Sequence, residues 1–290
     1  MGIAGTFIVL GLWEYLPSRE ALGRAKTEAV QALALDDSLG EAHMILASVL
    51  ALREWDWDGV SRHFERACRL PAAGGFFGFG ISLGYLVASR PREALEAARK
   101  VAAQEPLSAI AQTQAAAACV AVGEIEEAVQ FLQTALDLDP GMPMALLWLG
   151  FCRAGQRRLE EAEALLRASV DQGLQAAQMF LPEVLVRAGR IEEARAVVRE
   201  LDEAAGQRYV PPLTLACAHA SIGEKDRSLA LLEHAERERS AMFALNVFGP
   251  GYQSLSPAWV KEWFAACRDR ISAAHAPRRT GSVTSDQERN

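Results

Sequence analysis

Residue types that could carry out a reaction are present in this chain, but their spacing does not assemble a reaction site. Glutamate pairs recur at Glu126-Glu127, Glu160-Glu161 and Glu192-Glu193, and carboxylates are what general acid and base catalysis requires. Each pair falls at the same place in successive segments, in the first turn of a predicted helix, where negative charge answers the helix dipole. The histidines are His43, His63, His219, His234 and His275, and only His219 has a possible co-ligand close in sequence, Cys217. Two residues apart on a helix, that pair points in nearly opposite directions and cannot share a metal ion. The five cysteines are far apart, odd in number and without a CxxC spacing, which reads as reduced thiols in a cytoplasmic protein.

Phosphate and nucleophile motifs are missing as well. There is no HExxH, Walker loop, GxSxG or dinucleotide fingerprint, and the glycines at 74, 75, 78 and 80 have no Lys-Ser/Thr partner and follow no strand. They read as a loop. Trp55-Asp56-Trp57-Asp58 could stack on a ligand. It also stands at a helix junction, one residue longer than standard, with Asp58 placed to cap the following helix and the tryptophans to pack. No catalytic residue, metal site or cofactor is therefore expected, and the chain is read as a non-enzyme.

The elements that carry these residues are helical. Half of the 290 residues are hydrophobic and 23% are charged, which excludes disorder over most of the chain. A net charge of −7, with Lys and Arg in nothing longer than pairs such as Arg157-Arg158, argues against nucleic acid as a partner. The apolar start, Met1 to Trp13, is too short to cross a bilayer and lacks a basic leader, so it is expected to form a first core helix.

Stacking the segments that contain Glu-Ala exposes a period. Val60, Ala94, Ala128, Ala162, Ala194 and Ser228 follow one another at intervals of 34, 34, 34, 32 and 34. Five residues before three of these positions stand Gly123, Gly189 and Gly223, where a helix must stop in a left-handed conformation, and Arg157 and Ser89 replace glycine in two repeats. Small residues recur at Ala67, Ala135, Ser169 and Ala235, and Pro106 and Pro140 close the second helix of their units. Ala116 or Gly150 facing Ala128 or Ala162 lets two helices approach closely. Leu132, Leu166, Val198 and Leu232 then fill the space toward the next unit, because one helix pair cannot bury its own apolar face.

With that period and these positions the chain resembles the tetratricopeptide repeat family over about residues 5–237, most strongly at Val122-Pro140 and Leu159-Gly189. The resemblance implies an all-α, right-handed α-solenoid of about seven helix-turn-helix repeats over residues 1–240. A capping segment over 241–275, built on the helix from Pro257 to Ile271 with Trp259, Trp263, Ala266 and Arg270 on one face, and a disordered tail at 276–290 complete the expectation. Gly11–Ala21, Glu54–Asp58 and Ile222–Glu233 are similar to arrays found downstream of winged-helix, cyclase or Ser/Thr-kinase domains in bacterial signalling proteins. The chain departs from those by carrying no effector domain, so the array works alone or as the arm of a larger protein. The stretch Pro71–Gly80 is too glycine-rich for a firm helix start and is expected to be a loosened joint.

In this family the first helix of each pair lines a concave groove. Carried over position by position, that lining comprises Phe76, Phe79, Leu83 and Leu86 in the third repeat, Ile110 and Val120 in the fourth, Met144, Leu147 and Phe151 in the fifth, and Met179 in the sixth. None is the Lys or Asn with which chaperone-binding relatives clamp a terminal carboxylate. An apolar lining suits a protein or peptide partner with an apolar or amphipathic helix. The same residues also suit ordinary core, covered by the chain's own terminal helix or by closure of the superhelix. A homodimer through the apolar surface is a further reading.

Overall fold

The computed structural model describes residues 2–70, 80, 83, 90–248 and 255–274, and every described element is helical. The expectations placed on the 71–79 joint and on the 276–290 tail lie outside these residues. The helices are α1 (Gly2–Leu12), α2 (Ser18–Leu35), α3 (Gly40–Val49), α4 (Trp57–Arg69), α5 (Pro91–Gln104), α6 (Ala109–Val122) and α7 (Ile125–Leu138). They continue with α8 (Pro143–Gly155), α9 (Leu159–Asp171), α10 (Leu181–Arg187), α11 (Ile191–Ala205), α12 (Pro212–Ser221), α13 (Lys225–Glu238), α14 (Ala241–Phe248) and α15 (Ala258–Ala274).

Consecutive helices pack as pairs, α1 on α2, α3 on α4, α6 on α7, α8 on α9, α10 on α11 and α12 on α13, and pairs stack through α2 on α3, α7 on α8, α9 on α10 and α11 on α12, as in an α-solenoid. The turn inside a pair is built the same way each time. After α6, Gly123 at φ 86° lets Glu124 N–H donate back to Cys119 C=O (2.9 Å), closing the helix end. Gly189 (φ 77°) and Gly223 (φ 84°) repeat the device. Arg157 takes the same left-handed conformation at φ 61°, with Arg158 N–H donating to Arg153 C=O (2.9 Å), so the turn survives without its glycine.

Small residues let the paired helices touch. A Cβ built on Gly150 would stand 3.0 Å from Leu166 and 3.2 Å from the Ala162 carbonyl. Leu132, Leu166, Val198 and Leu232 are all buried, and each contributes about 2–3 kcal/mol by leaving water.

Four local details differ from the sequence expectation. α3 does not end at Leu50 but runs into a π-turn over Leu50–Glu54, and Trp55 itself takes the left-handed turn position at φ 58°. The turn therefore keeps standard length. The cap of α4 is Asp56, whose carboxylate accepts from Gly59 N–H at 3.0 Å, rather than Asp58, which lies within the first turn. The sixth repeat's first helix is split into a 3₁₀ turn (Gln175–Met179) and α10, because Pro182 has no N–H to donate and its ring excludes a regular helix through the preceding turn. On α15 the fully buried face is Val260, Phe264, Cys267 and Ile271, one position on from the expected stripe, with Trp259 and Trp263 half-buried and Ala266 and Arg270 exposed.

Candidate functional site

The two ends of the array meet, Ser240 and Ala241 lying against Glu14 and Ser18. Trp13, just past α1, lies edge-on against Trp148 of α8 with ring centroids 6.2 Å apart. Trp148 continues to Phe151 (5.8 Å) and Phe151 to Phe180 (5.3 Å). This aromatic run links the first repeat to the fifth and sixth.

From the other end α14 turns inward, and Ser240 to Val247 are all buried. Phe243 is its knob, stacked on Trp55 (6.4 Å) and set against Trp263 and Phe264 of α15. The helix is anchored at its start. Ser240 Oγ accepts from Phe243 N–H (3.2 Å), and the hydroxyl meets the Glu14 carboxyl. Ser18 Oγ accepts from Ala241 N–H and donates to Gly11 C=O, each at 3.0 Å. Arg239, left-handed at φ 51°, lays its guanidinium 4.5 Å from the Trp55 ring centre and donates to the carbonyls of Glu54 (2.9 Å) and Arg53 (3.2 Å). Residues 226 positions apart thus form one clasp.

The clasp has an unusual charge state. Burial pushes the Glu14 carboxyl up from 4.5 to about 7, and the nearby Glu238 adds to the rise, while the Ser240 hydrogen bond opposes it. A neutral Glu14 therefore suits the closed arrangement.

Of the residues assigned to the groove from sequence, Leu83, Val120, Leu147, Phe151 and Met179 are all at most 5% exposed. Met144 is half-buried, and Ile110 is 60% exposed, three residues after the still more exposed Leu107. Phe76, Phe79 and Leu86 lie outside the described residues. The covering of Met179 can be traced. Asn246 of α14, with Leu255 to Pro257, faces Met179, Phe180 and Glu183 across a narrow cleft, and Arg187 donates to Leu255 C=O at 3.0 Å.

Sequence reading missed the clasp and also His219. Both ring nitrogens of this buried side chain meet carboxylates, Nδ1 with Glu224 (2.7 Å) and Nε2 with Asp202 (3.1 Å), tying α11, α12 and the α12–α13 turn together. With both nitrogens engaged it is a staple. Burial raises the Cys119, Cys152, Cys217 and Cys267 thiols to about 12, which keeps them protonated and poor nucleophiles. Among the described residues no group of three or more His, Cys, Asp or Glu is arranged around a metal position, and no helix is long and apolar enough to cross a membrane.

Two family models, both of the tetratricopeptide repeat, match residues 80–143 and 120–179. No curated protein sequence matches the chain. Among solved structures, one from the functional characterisation of Pseudomonas aeruginosa pilF aligns with a TM-score of 0.50 at 17% identity, over 71% of this chain and 94% of that one. PilW, described as a widely conserved type IV pilus biogenesis factor, aligns with a TM-score of 0.54 at 17% identity, over 74% and 97%. At that identity the likeness concerns the fold.

Proposed function

We propose that this chain, which matches tetratricopeptide repeat models over residues 80–179, is a non-catalytic interaction scaffold that takes up an apolar or amphipathic helix on its concave face. One observation carries the reading: the array already holds such a helix against its own repeats, α14, buried from Ser240 to Val247 and anchored by an aromatic knob and a basic residue at its start. A surface that accepts Ala-Met-Phe-Ala-Leu-Asn-Val in this way has the chemistry to accept a partner helix of the same character. The partner gains access by displacing α14, which makes the clasp a gate and fits a sensor or signalling role. The free thiols support a cytoplasmic setting.

A labelled peptide with the sequence of residues 239–248 tests this by fluorescence anisotropy. Wild-type protein holds its own α14 and is expected to bind the peptide weakly. The double variant R239A/F243A loosens α14 and is expected to bind at least tenfold tighter. A double variant that is folded by circular dichroism yet captures no peptide would show that the concave face is core and not a binding surface.

A further inference from the structure

His43 on α3 and His63 on α4 face one another with Nδ1 to Nδ1 at 2.9 Å, ring centroids 5.2 Å apart and ring planes inclined by 36°. Both side chains are half-buried at the junction of the two helices. His43 Nε2 lies 3.0 Å from the Asp37 carbonyl oxygen. A carbonyl can only accept, so Nε2 carries the hydrogen, and in the neutral ring Nδ1 presents its lone pair to His63. Without metal, His63 Nδ1–H fills that position by donating to it.

We propose that His43 and His63 form a two-histidine binding site for a divalent transition-metal ion of tetragonal preference, with Cu(II) the favoured cation. Three features point there. Two metal–imidazole bonds of about 2.0–2.1 Å at a right angle span a nitrogen separation of about 2.9 Å, whereas a tetrahedral angle needs about 3.3–3.4 Å. The observed separation matches the cis positions of a square arrangement, the geometry of Cu(II) and Ni(II), and imidazole affinity peaks at Cu(II). The carbonyl behind His43 fixes its tautomer and orientation as the outer partner of a metal-bound histidine does. On binding, the His63 proton moves from Nδ1 to Nε2 through solvent. The ring stays neutral and no net proton is released.

No third side chain among the described residues completes a cluster here, so the remaining positions are open to water or to a donor from a partner. The full-length chain titrated with Cu(II) alone supplies the test. Electron paramagnetic resonance at one equivalent is expected to show two equatorial imidazole nitrogens. In calorimetry H43Q and H63Q are each expected to weaken Cu(II) binding at least tenfold, while H234Q, at a site paired with Glu238, leaves it unchanged. Cu(II) should also raise the melting temperature of wild type and not that of either variant. Fewer than two imidazole nitrogens, binding by H43Q and H63Q equal to wild type, or Zn(II) bound more tightly than Cu(II) overturns the assignment.

Discussion

Glu14 is the residue on which the clasp depends most directly, and its titration gives a sign that can be checked. The unfolded chain releases this proton near pH 4.5 and the folded chain near 7, so between these values the folded state holds a proton that the unfolded state has lost. Its contribution is complete below pH 4.5 and fades as pH rises through 7. The full loss is on the order of 3 kcal/mol. Urea denaturation at pH 5 and at pH 8 is expected to show wild type losing stability across that interval, with E14Q, which cannot ionise, losing much less. Equal slopes for the two proteins would mean that Glu14 is ionised or solvated in the folded state. None of this was legible in Glu-Tyr-Leu-Pro, because a carboxyl acquires such a pKa only from what the rest of the chain brings around it.

Elements in this protein begin and end where their residues require, and the left-handed turn between paired helices is the most informative case. A Cβ on Gly123 would meet nothing within 4 Å, so replacing this glycine tests backbone conformation alone. G123A is expected to cost about 1 kcal/mol, the strain of a side chain in a left-handed residue. At the equivalent turn R157G relieves that strain but loosens the unfolded chain, and a gain of about 0.5 kcal/mol is expected. Urea midpoints measure both, and opposite signs are the outcome to look for. The sequence signalled these turns clearly, since glycine five residues before the repeat alanine has a backbone reason. It signalled the face of α15 less well. Trp259 with Trp263 and Val260 with Phe264 are apolar stripes one residue apart, either of which could face inward, and the fold fully buries the second.

An open array of repeats transmits stability only between neighbours, so its ends fray independently. Here the ends are joined through Glu14, Ser18 and Trp55 on one side and Arg239 to Phe243 on the other. R239A removes the guanidinium from Trp55 and two carbonyls at once, and is expected to cost about 1–2 kcal/mol. Hydrogen exchange should then rise together in residues 8–14 and 240–247, although no substitution was made in the first segment. A rise confined to 240–247 would mean the closure carries no coupling. On the proposed function, a partner helix would have to compete with α14 for the surface that α14 covers.

The period of 34 with its turn glycines and small contact residues determined the helix-turn-helix array, because stacked pairs use nearest-neighbour contacts that repeat with the sequence. Leu132, Leu166 and Gly150 could be placed from spacing alone. Whether Leu147 and Phe151 faced solvent or the chain's own end was undetermined at that level, since an apolar stripe serves a groove and a core equally well. The tertiary structure decides it, by bringing Trp13 onto Trp148 and burying α14. The Glu14–Ser240 clasp spans 226 residues and the His43–His63 pair joins two helices, and in both the chemistry arises from a distance that no local pattern encodes.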